Sequence, residues 1–139
     1  MIRLLLGGIL LLTIVWGSEM IRWRGDYDQA LHEARARGKN LLLILTKPSC
    51  PACAELIRKI AADPALVRPL LRRYVPVIVT VDVRADYPVE LYYTTRFPAL
   101  FLVEALRELP DEGSCRGRGC YTFLRRRLLR ELNGVKELR

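Results

Sequence analysis

The chain has 139 residues, enough for one domain with a real core and too few for two comfortable ones. Hydrophobic residues make up 51% and charged residues 27%, a balance that excludes an intrinsically disordered chain. The formal net charge is +8, but the basic residues are scattered and not interleaved with an aromatic platform, so a nucleic-acid partner is not expected.

Met1-Ile2-Arg3 is a short positive start, and Leu4 to Val15 carries no charge. Val15 and Gly17 are small enough to precede a signal-peptidase cut between Gly17 and Ser18. Residues 1–17 are therefore expected to be a signal peptide or an uncleaved N-terminal anchor with Trp16 at the interface. Either reading exports the remainder, residues 18–139, to the periplasm. Arg22, Arg24, Arg35 and Arg37 follow soon after, and the positive-inside tendency works against that export.

After a lead-in containing Trp23, residues Tyr27, Ala30, Leu31 and Ala34 recur at helical spacing, with Asp26 as N-cap and Gly38 as stop. His32, the only histidine, falls on the solvent side of this helix. Asn40 to Thr46 is apolar without alternation, as suits a central strand buried on both faces. A helix then runs from Cys50 to about Ala62, and Asp63-Pro64 restarts another with Leu66, Val67, Leu70 and Leu71 inside. Tyr74 to Val83 reads as the next strand, and Asp86 to Thr95 as an irregular crossover. Phe97-Pro98 leads into a third apolar strand through Val103. Glu104 to Gly119 is polar and glycine-bearing, which predicts a loop with at most a short edge strand. Tyr121 to Leu132 closes the chain as an amphipathic helix.

Lys47-Pro48-Ser49-Cys50-Pro51-Ala52-Cys53 stands at the first strand-to-helix junction. Two thiols three positions apart in that setting make a redox dithiol. Unpaired N–H groups and the positive dipole end of the helix favour an anion, here the Cys50 thiolate. Pro51 suits the first helical position, where its missing N–H would have had no partner. Cys53 lies one turn further in and more buried, within reach of a mixed disulfide on Cys50.

With this order of elements the sequence resembles the thioredoxin superfamily, and within it the exported thioredoxin-like proteins. The residues that carry the resemblance are Trp23 with Asp26-Tyr27 and Ala30 to Lys39, the dithiol Cys50-Pro51-Ala52-Cys53, and Arg96-Phe97-Pro98-Ala99-Leu100. The resemblance implies a three-layer α/β/α sandwich with a mixed central sheet. It implies catalytic roles for Cys50 as attacking thiol and Cys53 as resolving thiol. It also implies a cis Phe97–Pro98 bond, with Phe97 and Pro98 in a loop that pairs with substrate backbone. No metal or organic cofactor is needed for such exchange.

The sequence departs from the thioredoxin pattern where the family carries a buried aspartate, six positions before the first cysteine. Ile44 stands there, and the neighbouring strand offers Val77, Ile78 and Val79 in place of a lysine. Ser49 replaces the usual tryptophan before the first cysteine. Lys47 is a candidate support for the Cys50 thiolate, alongside Pro51.

Cys115 and Cys120 flank Arg116-Gly117-Arg118-Gly119, and in an exported protein they are expected to form a structural disulfide, with free thiols or a redox relay with Cys50 and Cys53 as alternatives. The resemblance places this loop away from the dithiol. Zinc bound by the four cysteines is an alternative. The reading reached is a thiol–disulfide oxidoreductase with protein disulfides as substrates, reduction as the favoured direction, and a membrane-embedded electron donor as a candidate partner. The chain is expected to be a monomer. The rival is a non-catalytic binding or chaperone-like module that kept the fold.

Overall fold

The computed structural model describes residues 19–82 and 85–137, so the expected leader or anchor at 1–17 lies outside the described residues. Among the described residues no helix is long and apolar enough to cross a membrane.

Asp26 ends the extended lead-in and caps α1 (Tyr27–Ala36), its side chain accepting from the Gln29 N–H at 2.8 Å. Tyr27, Ala30, Leu31 and Ala34 form the buried stripe of α1, and Gly38 turns the chain at φ 63°. The run β1 (Asn40–Thr46) is buried from Leu41 onward because it lies in the middle of the sheet. Next come α2 (Pro51–Ala61) and α3 (Pro64–Arg73), which together carry the chain back to β2 (Tyr74–Thr80). Parallel neighbours need such a crossover, and β1 and β2 are parallel. β3 (Ala99–Glu104) pairs antiparallel with β1, and β4 (Leu109–Arg116) antiparallel with β3, before α4 (Cys120–Glu137). The sheet order is β2-β1-β3-β4.

Alternate residues of each strand point to opposite faces. Leu41, Leu43 and Leu45, with Val77 and Phe101, pack against α1. Leu42, Ile44, Leu100 and Leu102 pack against Leu56 and Ile60 of α2, Leu66 and Leu70 of α3, and Leu124 and Leu128 of α4. The result is the three-layer α/β/α sandwich with a mixed sheet. Pro76 is tolerated in β2 because that strand is at the edge. Its carbonyl faces outward to the Arg24 N–H at 3.0 Å, so the missing donor points the same way.

The crossover at 85–98 is irregular, as expected, and is pinned by Tyr92. The Tyr92 ring is 5.2 Å from Phe101 and its hydroxyl is 2.8 Å from that of Tyr27, which in turn donates to Glu108. Burial is the main cause that pushes both tyrosines above their usual pKa.

Two expectations are corrected. The stretch after β3 holds a full strand, β4, where its polar, glycine-bearing sequence predicts at most a short edge strand; β4 contains Pro110 and Gly113. An edge position accepts both residues. The register slips between Phe101 and Val103, and Gly113 takes φ 110° there with the Phe123 ring close behind it. The last helix is also longer than the expected Tyr121–Leu132, running Cys120–Glu137.

Candidate functional site

The antiparallel register sets Leu45 of β1 opposite Ala99 of β3. The chain leaving β1 toward the two cysteines therefore meets the chain entering β3 through Phe97–Pro98 at one end of the sheet. Between β1 and α2, Ser49 takes the left-handed region, at φ 55°.

Cys50 is the N-cap of α2, with extended backbone, and Pro51 is at the start of the helix. The Cys50 sulfur accepts the Cys53 N–H at 3.2 Å, one of the donors a helix start leaves unpaired. No acidic residue occupies the first turn of α2 to oppose a thiolate there. Cys50 is half-buried, whereas Cys53 is only 3% exposed. The two form a disulfide with a Cα–Cα separation of 5.3 Å.

The Phe97–Pro98 peptide bond is cis and Pro98 is buried. Lys47 is exposed, with its ammonium 5.7 Å from the centroid of the Phe97 ring. Ile44 is fully buried beside Ile78 in the sheet. Thr46 is the one buried polar or charged side chain among the described residues, so no buried carboxylate or lysine supports Cys53 there.

Cys115 and Cys120 form the second disulfide, with a Cα–Cα separation of 5.4 Å. Its place corrects the expectation that this loop stands apart from the dithiol. Because β4 is a full strand, Arg116 reaches the level of Ala99, the first residue of β3. The Gly117 N–H then donates to the Pro98 carbonyl at 2.7 Å. Gly117 and Gly119 both take left-handed backbone, at φ 76° and 96°, which keeps the loop tight.

A groove of about 600 Å³ results, with Pro51, Ala52, Glu55 and Lys59 of α2 on one wall and Gly117 to Tyr121 on the other. Pro98 lies in its lining as well. Lys59 pairs with Glu55 at 3.1 Å, and that hydrogen bond holds the Glu55 carboxyl below its usual range. Tyr121 donates to Asp63 at 2.6 Å and so ties the groove wall to the cap of α3.

Sequence reasoning singled out Cys50, Pro51, Cys53 and Pro98, and the structure brings these together. It missed Glu55, Lys59, Arg118 and Tyr121. The first two could have been found, since positions 52, 55 and 59 share one face of a helix. Arg118 and Tyr121 could not, because their place depends on the length of β4. Among the described residues no three of Cys, His, Asp and Glu converge to hold a metal ion.

A family model described as thioredoxin-like matches residues 22–105. Among solved structures, a thioredoxin from Thermus thermophilus is similar at 24% identity, with 84% of this chain and 88% of that one covered and a TM-score of 0.56. A DsbH oxidoreductase is similar at 18% identity, with 88% and 94% covered and a TM-score of 0.57. No curated protein matches the sequence at the level of significance required. At these identities the solved structures share the fold.

Proposed function

The chain belongs to the thioredoxin-like family, which with its cysteine pair places it at family level among thiol–disulfide oxidoreductases, and we propose that it reduces protein disulfides outside the cytoplasm. The observation that carries this reading is the asymmetry of the pair. Cys50 is accessible and held at a helix start, and Cys53 is buried behind it within disulfide reach.

In the forward direction the Cys50 thiolate attacks one sulfur of a substrate disulfide, and the other substrate sulfur leaves as a thiolate. Cys53 then loses its proton and attacks the Cys50 sulfur. The second substrate thiolate departs, and two electrons have passed from the dithiol to the substrate. The loop at Phe97 and Pro98 would hold the substrate backbone beside Cys50. Lys47, above Phe97, adds a positive charge at the rim of the site.

Pro51 and Ala52 offer the Cys50 sulfur neither a side-chain donor nor a charge, which leaves the Cys53 N–H as the donor beside it. Strong oxidants of this kind over-stabilise the reduced form, and the modest support here favours the reducing direction. The apolar stretch at 4–15 and the second disulfide support an oxidising compartment. A dithiol donor must then return two electrons, and outside the cytoplasm that donor would be embedded in the membrane.

Insulin-disulfide reduction tests it. The wild type is expected to turn over, and Cys53→Ser to accumulate a mixed disulfide through Cys50. Loss of Cys50 should abolish both. A wild type that neither turns over nor traps substrate would identify a binding module instead.

A further inference from the structure

We propose that the groove selects acidic protein segments, with Arg118 pairing with a substrate carboxylate close to the disulfide under attack. The inference rests on the oxidoreductase reading above and names the substrate class of that same site.

The charges around the groove are unbalanced. Glu55 is the one acidic residue lining it, and it is already paired with Lys59 at 3.1 Å. Arg118 lines the opposite wall, is exposed, and has no salt-bridge partner among the described residues. Its charge is close enough to Glu55 to help lower that carboxyl. Arg96 adds a second cation. Its guanidinium stands 3.5 Å from where a side chain at Gly117 would begin, and it too has no carboxylate partner among the described residues. Arg96 and Arg118 thus stand beside Gly117, the residue bonded to the Pro98 carbonyl.

The position of Arg118 is built rather than incidental. The Cys115–Cys120 disulfide closes its loop from below, and the Gly117 bond to Pro98 fixes the loop against the site. Short, doubly tethered loops lose little entropy when a ligand orders them. Charges at the rim of a binding surface act mainly on association rate and on the choice of partner. A chain with a net charge of +8 reinforces the same preference at longer range.

The test uses three synthetic peptides that share one internal disulfide and carry Glu, Gln or Lys beside the cysteines. Rates are divided by those of dithiothreitol on the same peptides, which removes differences in intrinsic reactivity. Wild-type kcat/KM is expected to favour the Glu peptide over the Lys peptide by about tenfold at low salt, narrowing as salt screens the pair. Arg118→Glu should reduce that ratio at least fivefold, by roughly the effect of reversing one exposed charge pair. Equal wild-type rates on all three peptides would overturn the acidic preference and leave the oxidoreductase reading standing. A preference that Arg118→Glu does not alter would overturn the assignment to Arg118. No turnover of any peptide would remove the oxidoreductase reading and the inference with it.

Discussion

Solvent access separates the two cysteines of the dithiol. Cys50 is half-buried at a helix start and Cys53 is 3% exposed one turn later, so only the first can meet a protein disulfide. The same scale explains what supports them. Ile44 is fully buried among Leu56, Ile60 and Leu100, and among the described residues no buried side chain carries a charge that could stabilise an acid there. Ile44→Asp is therefore expected to cost about 3 kcal/mol or more, as an unpaired buried polar group does. Urea denaturation measures it, and a loss below about 1 kcal/mol would mean that water reaches the position. The missing acid was legible because the resemblance to thioredoxins points to the position six before Cys50, where Ile44 stands. The charge around Arg118 was not, because nothing in a glycine-rich run says which groove it will border.

Among the elements, α3 and α4 are joined through Asp63. Its carboxylate caps α3 at the Ala65 N–H, accepts from Tyr121, and lies 3.4 Å from Arg125. The Tyr121 hydrogen bond is the first cause holding the Asp63 carboxyl below the usual range, against an opposing push from burial. A carboxyl lowered on folding contributes stability above its unfolded pKa of about 3.9, and loses it as pH falls through the folded value. Asp63→Asn should thus flatten the fall in stability below about pH 4, read from thermal melts across pH. An unchanged acid slope would refute the role. In β4, Gly113 takes φ 110°, and a Cβ there would sit 2.9 Å from the Phe123 ring. Gly113→Ala should destabilise by about 1–2 kcal/mol through backbone strain and the ring's displacement, and chemical denaturation checks it. Unchanged stability would mean the bulge relaxes. The elements also mark how far periodicity reaches. β1, with its continuous apolar run, and α1, with its cap and stop, were readable in place. β4 was not, since its polar residues and Gly113 read as loop, and only pairing with β3 makes them a strand.

Across the whole molecule, the sheet order brings both ends of the chemistry together. Parallel β1 and β2 fix the helix-bearing crossover, and antiparallel β3 returns the Phe97–Pro98 bond to the end where α2 begins. The layered class was legible through the resemblance to the thioredoxin superfamily, carried by the order of elements, the dithiol and Phe97–Pro98. The closeness of the second disulfide to the first is a property of the assembled sheet alone. The central claim is that Cys50 and Cys53 form one exchangeable couple. Peptide-resolved differential alkylation of the wild type across a series of redox buffers tests it most directly. Cys50 and Cys53 should convert together, about 30 mV per tenfold change, with a midpoint nearer about −270 mV than about −120 mV. Cys115 and Cys120 should remain paired to more negative potentials, as structural disulfides do. A Cys50–Cys53 disulfide that forms at no potential would contradict the account.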